Sequence, residues 1–182
     1  IFCGRDFNIS TPPIKRNSPT KIIVNVRILK ILLVLSIVSC SSPNKDPLII
    51  GHRGAMGHVT ENTIPSIKKA IELGVDGIEI DVFKCKSGEI VVFHDKKLDR
   101  LTNSSGYIED LSFDSINKIK VMGEYRIPEL IEVINVLPNE IFLNIELKGE
   151  ETAKKVNEII TEFINKTQSK LDRFIISSFN WN

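Results

Sequence analysis

The sequence has few cysteines and almost no net charge, and each absence excludes a class of protein. Its three cysteines, Cys3, Cys40 and Cys85, show no paired or metal-type spacing, so neither a disulfide framework nor a zinc site is expected. Lysine and arginine total 24 against 23 aspartates and glutamates, which argues against the basic surface of a nucleic-acid-binding protein. The length of 182 residues allows one ordinary domain.

The longest apolar run near the start of the chain is too short to span a bilayer. This run, residues 31–38, contains one serine, whereas a membrane-spanning helix takes about 20 apolar residues. Basic residues precede the run and small residues follow it, which is the order of a secretory signal. Residues 37–40, Ile-Val-Ser-Cys, resemble a bacterial lipobox, in which the cysteine is lipidated and becomes the new N-terminus. The pattern predicts an upstream segment and signal peptide at residues 1–39 and lipidation at Cys40.

Residues 40–47 are predicted to form a lipidated tether between the anchor and the fold, because the segment after Cys40 is polar and contains prolines. On this interpretation the protein is an extracytoplasmic, membrane-anchored lipoprotein of a bacterial cell envelope. Two alternatives remain: a signal cleaved nearby with Cys40 incidental, or a short buried strand. Cys85 is interpreted as an ordinary strand residue.

From residue 48 onwards, predicted strands alternate with predicted helices. Strands are expected at residues 48–51, 77–83, 90–93, 141–147 and 174–178. Helices are expected after residue 63, at residues 128–137 and around residues 156–164, while residues 96–126 are polar and irregular. Such alternation indicates an α/β fold with a parallel sheet. A closed eight-stranded barrel takes about 250 residues, so this chain is too short for one and supplies about five strands.

Carboxylates alternate with apolar residues on the predicted second strand. Successive side chains point to opposite faces of a strand, so Glu79 and Asp81 share one face. Taken alone, this alternation favours a half-exposed strand with its polar face in water. In a β/α barrel the two carboxylates would face the mouth, where they resist ionising together unless a divalent cation binds. Oxygen ligands of this type suit Mg²⁺ or Ca²⁺.

The predicted fourth strand repeats this arrangement. Glu146 shares a face with Asn144 and Lys148, so it could be a third carboxylate for the same cation. Lys148 could meet an anion. The alternative for this strand is a surface salt bridge.

Two histidines come at the ends of predicted strands. In a β/α barrel, His52 and His94 would lie at the C-terminal face with the three carboxylates. A pair of imidazoles can divide the roles of general base and general acid, and the sequence leaves open which is which. Arg53 adds a guanidinium group that fits phosphate.

Five short motifs occur in a fixed order. They are His52-Arg53-Gly54, Glu61-Asn62-Thr63, Glu79-Ile80-Asp81-Val82, His94-Asp95 and Glu146-Leu147-Lys148. Their order and separations resemble those of the glycerophosphodiester phosphodiesterase family. The resemblance covers residues 48–182 and implies a partial TIM-type (β/α)8 barrel, truncated after about five strands, with a small insertion after the third strand.

The resemblance also implies a role for each motif. His52 and His94 would be the acid–base pair, and Glu79, Asp81 and Glu146 would hold a divalent cation, Mg²⁺ or Ca²⁺.

The remaining motif residues are expected near the substrate. Arg53 and Lys148 would bind the phosphate, and Glu61 would support the metal shell or orient Arg53. The expected substrate is a small glycerophosphodiester, cleaved through a cyclic phosphate to an alcohol and glycerol 3-phosphate. Two alternatives stay open: a phospholipase D- or C-like phosphodiesterase on the same barrel, and an inactive truncated lipoprotein. The 182-residue chain alone is expected to fold poorly or to be inactive.

Overall fold

The computed structural model describes residues 46–179. The predicted signal peptide, Cys40 and most of the tether lie outside the described residues and stay predictions. No helix within residues 46–179 is long and apolar enough to cross a membrane.

The described residues form a main sheet, a two-stranded ribbon and covering helices. In chain order the elements are β1 (Ile50–His52), α1 (Ile64–Glu72), β2 (Gly77–Lys84), β3 (Ile90–Val92), α2 (Phe113–Ile116), β4 (Lys120–Val121), β5 (Tyr125–Arg126), α3 (Leu130–Val136), β6 (Phe142–Leu147), α4 (Thr152–Thr167) and β7 (Phe174–Ser177). Single 3₁₀ turns cover Ile108–Asp110 and Leu171–Arg173.

Four strands of the main sheet run parallel in the order β1-β2-β6-β7 within the described part of the chain. Helices lie in the connections between them: α1 follows β1, α3 precedes β6, and α4 precedes β7. Parallel strands that neighbour in sequence order and alternate with helices form the repeating unit of a β/α barrel. The predicted α/β barrel class is confirmed for this portion of the fold.

The third predicted strand does not join the parallel sheet, which corrects the sequence-based expectation. β3 pairs antiparallel with the end of β2, with Val82 opposite Val92. A parallel connection needs about a dozen residues or more, and the short link between β2 and β3 permits only a hairpin. The hairpin returns the chain to the end of the parallel strands, where the Phe93 N–H donates to the Asp81 carbonyl at 2.9 Å.

Helix α1 begins and ends where its sequence signals indicate. Thr63 is the N-cap, and its side chain accepts a hydrogen bond from the Ser66 N–H at 3.3 Å. Pro65 lies in the first turn, where the N–H it lacks would have no helical partner. Gly74 follows the helix with φ of +74°, and its N–H donates to the Ile71 carbonyl at 3.0 Å.

The main core lies between the sheet and the helices. Ile78 and Ile80 of β2 and Ile145 of β6 are fully buried, and they pack in one cluster with Ile67 of α1 and Val156 of α4. The opposite face of β2 and β6 therefore carries the acidic residues, as the alternation predicts.

A second hydrophobic cluster supports the polar stretch 96–126. Leu98, Ile108 and Ile116 from this stretch are fully buried and pack with Phe83 and Phe93 of the hairpin. The insertion is therefore anchored to the β2–β3 hairpin by packing.

Candidate active site

Three carboxylates converge at the C-terminal ends of the central strands. Asp81 on β2 lies opposite Glu146 on β6, and Glu79 is on the same face of β2. One oxygen from each of Glu79, Asp81 and Glu146 lies within 4.8 Å of the others. Glu79 and Asp81 are buried, and Glu146 is half-buried. The parallel pairing of β2 with β6 brings together residues that are distant in the sequence.

The surroundings of Glu79 fit a bound divalent cation. Burial raises the pKa of Glu79 to about 7, and the charges of Asp81 and Glu146 add to the rise, whereas a backbone hydrogen bond from Arg53 opposes it. Its Oε2 accepts from the Arg53 N–H at 2.9 Å, but its Oε1 is buried and has no hydrogen-bond partner in the described part of the chain. A buried acceptor beside two further carboxylates is satisfied by a hard cation with oxygen ligands.

Lys148 lies across the carboxylate cluster. Its Nζ donates to Glu146 Oε1 at 2.7 Å and lies 3.4 Å from Asp81 Oδ1. Burial alone would lower the pKa of Lys148, but the hydrogen bond to Glu146 and the charge of Asp81 outweigh burial, so the pKa is raised. Lys148 therefore places a positive charge beside the carboxylate cluster.

Arg53 follows β1 in a strained turn. Its backbone φ is +52°, in the left-handed region that residues with a side chain seldom adopt. A Cβ atom at Gly51 would lie 2.7 Å from the Gly54 carbonyl oxygen, so the turn requires glycine there. The Arg53 side chain donates from Nη1 to Glu61 Oε1 at 2.8 Å, and its Nε lies 3.4 Å from Asp81 Oδ2.

Asn62 is a site residue to which the sequence motifs assign no role. Its Nδ2 donates to Asp81 Oδ2 at 2.9 Å, and the Asp81 N–H donates to Asn62 Oδ1 at 3.4 Å. Asn62 is 2% exposed and has a φ of +56°, a conformation that asparagine tolerates better than most residues. Its position between Glu61 and Thr63 in a motif was the signal that could have identified it.

The two histidines lie on either side of the site in different environments. His52 ends β1 with its side chain 61% exposed, and its Nε2 lies 3.8 Å from Glu79 Oε2. His94 is less exposed; its Nδ1 lies 2.6 Å from Asp95 Oδ1, and its Nε2 lies 3.5 Å from Lys148 Nζ. Because an ammonium group only donates, the contact with Lys148 assigns the lone pair to Nε2 and the proton to Nδ1.

Arg100 was not identified from the sequence, because no motif marks it. Its guanidinium group donates from Nε to Asp95. It also donates to Glu61, from Nη2 to Oε1 at 2.7 Å and from Nη1 to Oε2 at 3.2 Å. Burial alone would raise the pKa values of Glu61 and Asp95, but the hydrogen bonds and charge of Arg100, together with those of Arg53 at Glu61 and of His94 at Asp95, outweigh burial and lower both pKa values. Glu61 contacts Arg53 and Arg100, and it is not a member of the carboxylate cluster.

The described residues thus define a protein of the β/α-barrel class. Its site lies at the C-terminal ends of the parallel strands and combines a carboxylate cluster with arginine and lysine side chains. The model of the glycerophosphoryl diester phosphodiesterase family matches residues 52–182. The chain belongs to this family.

Relatives support the assignment across sequence and structure. A glycerophosphodiester phosphodiesterase of Caldanaerobacter subterraneus is 42% identical over 143 residues, which cover 73% of this chain and 58% of that protein. A phosphodiesterase of Oleispira antarctica, solved in complex with the product sn-glycerol-3-phosphate, is 32% identical with a TM-score of 0.64, covering 74% of this chain and 58% of that one.

A glycerophosphoryl diester phosphodiesterase domain from Mycobacterium tuberculosis matches with a TM-score of 0.66 at 23% identity, covering 75% of this chain and 54% of that one. At this identity the match concerns the fold alone. The chain spans little more than half the length of the bacterial curated relatives and less than half the length of the mammalian ones.

Proposed function

We propose that the protein containing this chain is a divalent-cation-dependent phosphodiesterase that cleaves glycerophosphodiesters to an alcohol and sn-glycerol 3-phosphate. The observation that carries the proposal is the convergence of Glu79, Asp81 and Glu146 within 4.8 Å, at strand ends that also carry His52 and His94. Membership of the family and the product bound to the Oleispira antarctica relative support the substrate class.

Glu79, Asp81 and Glu146 would hold the cation, and Mg²⁺ and Ca²⁺ both suit their oxygen donors. A cation bound there would neutralise charge on the phosphodiester and increase the electrophilicity of its phosphorus. Asn62 would keep the Asp81 carboxylate in its orientation, since it donates to Oδ2 at 2.9 Å.

Arg53 and Lys148 supply the positive charge for the phosphate. Arg53 presents a planar guanidinium group and Lys148 a compact ammonium group. Both lie within 4 Å of the Asp81 carboxylate. A phosphodiester bound between them would have its negative charge matched before reaction.

The hydrogen bonds of His94 favour it as the general base. Asp95 accepts a hydrogen bond from Nδ1–H, which keeps the lone pair on Nε2, and Nε2 can remove the proton from a glycerol hydroxyl of the substrate. The hydroxyl oxygen forms a new bond to phosphorus while the bond from phosphorus to the departing alcohol breaks. His52 donates a proton to the departing oxygen. Water then opens the cyclic phosphate to give glycerol 3-phosphate.

The assignment of the two histidines is tested with substrates that differ in leaving group. In the natural protein containing this sequence, His94→Ala should lower kcat on glycerophosphocholine by about 100-fold or more. His52→Ala should do the same with glycerophosphocholine but much less with the p-nitrophenyl ester of glycerol 3-phosphate, which keeps the attacking glycerol hydroxyl, because nitrophenolate leaves without a proton. His58→Ala, in the loop after β1, is the matched control. A loss of equal size with both substrates would contradict the acid role of His52.

The identity of the products separates this function from the alternatives. Phosphorus NMR of the reaction should detect glycerol 3-phosphate as the phosphorus-containing product. Release of ceramide phosphate or inositol phosphate from the corresponding lipids, with no hydrolysis of glycerophosphodiesters, would indicate a phospholipase-like enzyme. No turnover of either class with added Mg²⁺ or Ca²⁺ would contradict the enzymatic proposal.

A further inference from the structure

Arg100 is bonded to both sides of the site, although it touches none of the three cluster carboxylates. Its guanidinium group engages both oxygens of Glu61 and one oxygen of Asp95. Glu61 in turn bonds Arg53, and Asp95 bonds His94. The result is an unbroken row of charge-assisted hydrogen bonds that runs from Arg53 to His94.

The backbone that carries Arg100 is fixed by its neighbours. Leu98 is fully buried in the second hydrophobic cluster, and its N–H donates to the Gly106 carbonyl at 3.0 Å. The Thr102 hydroxyl and N–H both donate to the Leu98 carbonyl, at 2.8 and 3.1 Å. The Arg100 side chain is 47% exposed, so its position is set by this turn and by its two acidic partners.

Stability alone does not account for this arrangement. Ion pairs at a half-exposed guanidinium group add little to stability, and Glu61 already has a basic partner in Arg53. A guanidinium group is planar and carries five donors in a rigid fork, so Arg100 bonds both oxygens of Glu61 and one of Asp95 in fixed directions, whereas an ammonium group is a single point of charge with three donors. The geometry is that of an orienting contact.

We propose that Arg100 is a positioning residue that holds Glu61 and Asp95, and through them fixes Arg53 and His94 relative to the bound phosphodiester. This inference rests on the proposed function and deepens it. Because misplacing a reacting group by about 1 Å can reduce a rate 100-fold, the loss of Arg100 should reduce turnover without unfolding the protein.

The test compares two arginines of similar exposure in the natural protein containing this sequence. Arg126 is 42% exposed and also bonds a carboxylate through two nitrogens, but its partner Glu132 lies in α3 and belongs to no part of the site. Arg100→Met should lower kcat/KM on glycerophosphocholine by about 10- to 100-fold, mainly through kcat. Arg126→Met should leave kcat and KM unchanged, and the melting temperatures of the two variants should be similar.

Two further variants distinguish positioning from a general loss of charge. Arg100→Lys should recover only part of the activity, because one ammonium nitrogen cannot reproduce the three directed bonds that the guanidinium group makes to Glu61 and Asp95. When Glu61→Gln and Asp95→Asn are already present, Arg100→Met should change kcat/KM by less than about threefold, since its partners no longer depend on it.

Nitrogen-15 NMR of the His94 ring provides a readout that does not depend on activity. At a pH at which the ring carries one proton, the parent protein should hold that proton on Nδ1, and Arg100→Met should show a mixture of both tautomers. If the parent hydrolyses no glycerophosphodiester but the tautomers shift in this way, the proposed function fails and the positioning inference stands. Unchanged tautomers would overturn the inference. So would unchanged kinetics in an active protein, or a melting temperature far below that of Arg126→Met.

Discussion

At the residue scale, Glu79 is the carboxylate of the cluster whose ionisation is opposed both by burial and by neighbouring negative charge. Its pKa is raised to about 7 by burial and by two neighbouring carboxylates, and its Oε1 has no hydrogen-bond partner among residues 46–179. A cation that binds all three carboxylates would remove the repulsion and satisfy the orphaned oxygen. Folding and cation binding should therefore be coupled.

Cation binding should be measurable as thermal stabilisation. At a concentration 100 times the dissociation constant, Mg²⁺ or Ca²⁺ should stabilise the folded protein by about 2.7 kcal/mol, observed as a rise in Tm by calorimetry. Asp81→Asn should abolish most of the rise because it removes a charged ligand, whereas Glu132→Gln, outside the site, should retain it. An equal rise in both variants would place the cation elsewhere.

The pairing of Glu61 should make stability depend on pH. The pKa of Glu61 is lowered in the folded state by hydrogen bonds from Arg100 and Arg53, which outweigh the effect of burial. Its stabilisation is therefore present above the ordinary pKa of 4.5 and is lost as the pH falls through the lower folded value. Glu61→Gln should destabilise the protein by about 1–2 kcal/mol at pH 7 and by much less at pH 3. Urea unfolding at both pH values measures the change in the free energy of unfolding. An equal loss of stability at pH 7 and pH 3 would contradict the contribution of ionised Glu61.

At the scale of the elements, the β2–β3 hairpin explains how His94 reaches the site. A parallel third strand would require a crossover helix, but the hairpin reverses the chain within a few residues. His94 then follows Phe93, whose N–H is bonded to the Asp81 carbonyl, so the imidazole lies beside the carboxylate strand. The insertion that follows carries Arg100 and packs on the same hairpin.

Disrupting the core of the insertion should affect both stability and activity. Leu98 is fully buried, so Leu98→Ala should destabilise the protein by about 2–5 kcal/mol. It should also lower kcat, because it loosens the turn that holds Arg100. Leu171→Ala is the control, since Leu171 is 67% exposed and its truncation should change little. Denaturant unfolding measures the first effect and steady-state kinetics the second. An unchanged kcat in Leu98→Ala would contradict the claim that packing of the insertion supports the site.

At the scale of the whole molecule, the parallel sheet has two edge strands within residues 46–179. β1 and β7 each pair with one neighbour, and Ile50 and Ile176 on these strands are about half exposed. A further strand on either edge would bury these side chains and pair the free backbone groups. The solved relatives extend well beyond the matched portion.

Localisation is a separate proposal that rests on the sequence alone. We propose that Cys40 is lipidated and that the protein is held at the outer side of a bacterial membrane. Metabolic labelling with a radioactive fatty acid should label the natural protein and should fail with Cys40→Ser. Cys85→Ser is the matched control, because Cys85 is buried in the fold. Equal labelling of Cys40→Ser and the natural protein would exclude the anchor.

Local signals in the sequence determined the elements that depend on nearby residues. The alternation of Glu79 and Asp81 with isoleucines predicts which face of β2 is polar, and Thr63 and Gly74 mark the ends of α1. These features follow from backbone periodicity and hydrogen-bond capping, which act over a few residues.

Only the tertiary structure decided which distant side chains meet. The antiparallel direction of β3, the hydrogen bonds between Asn62 and Asp81, and the bridge from Arg100 to Glu61 depend on how strands and loops pack together. Asn62 and Arg100 lie in loops, where no periodicity marks the direction of a side chain. The sequence by itself determined the family and the carboxylate face; packing determined the contacts that orient the site, because they join residues far apart in the chain.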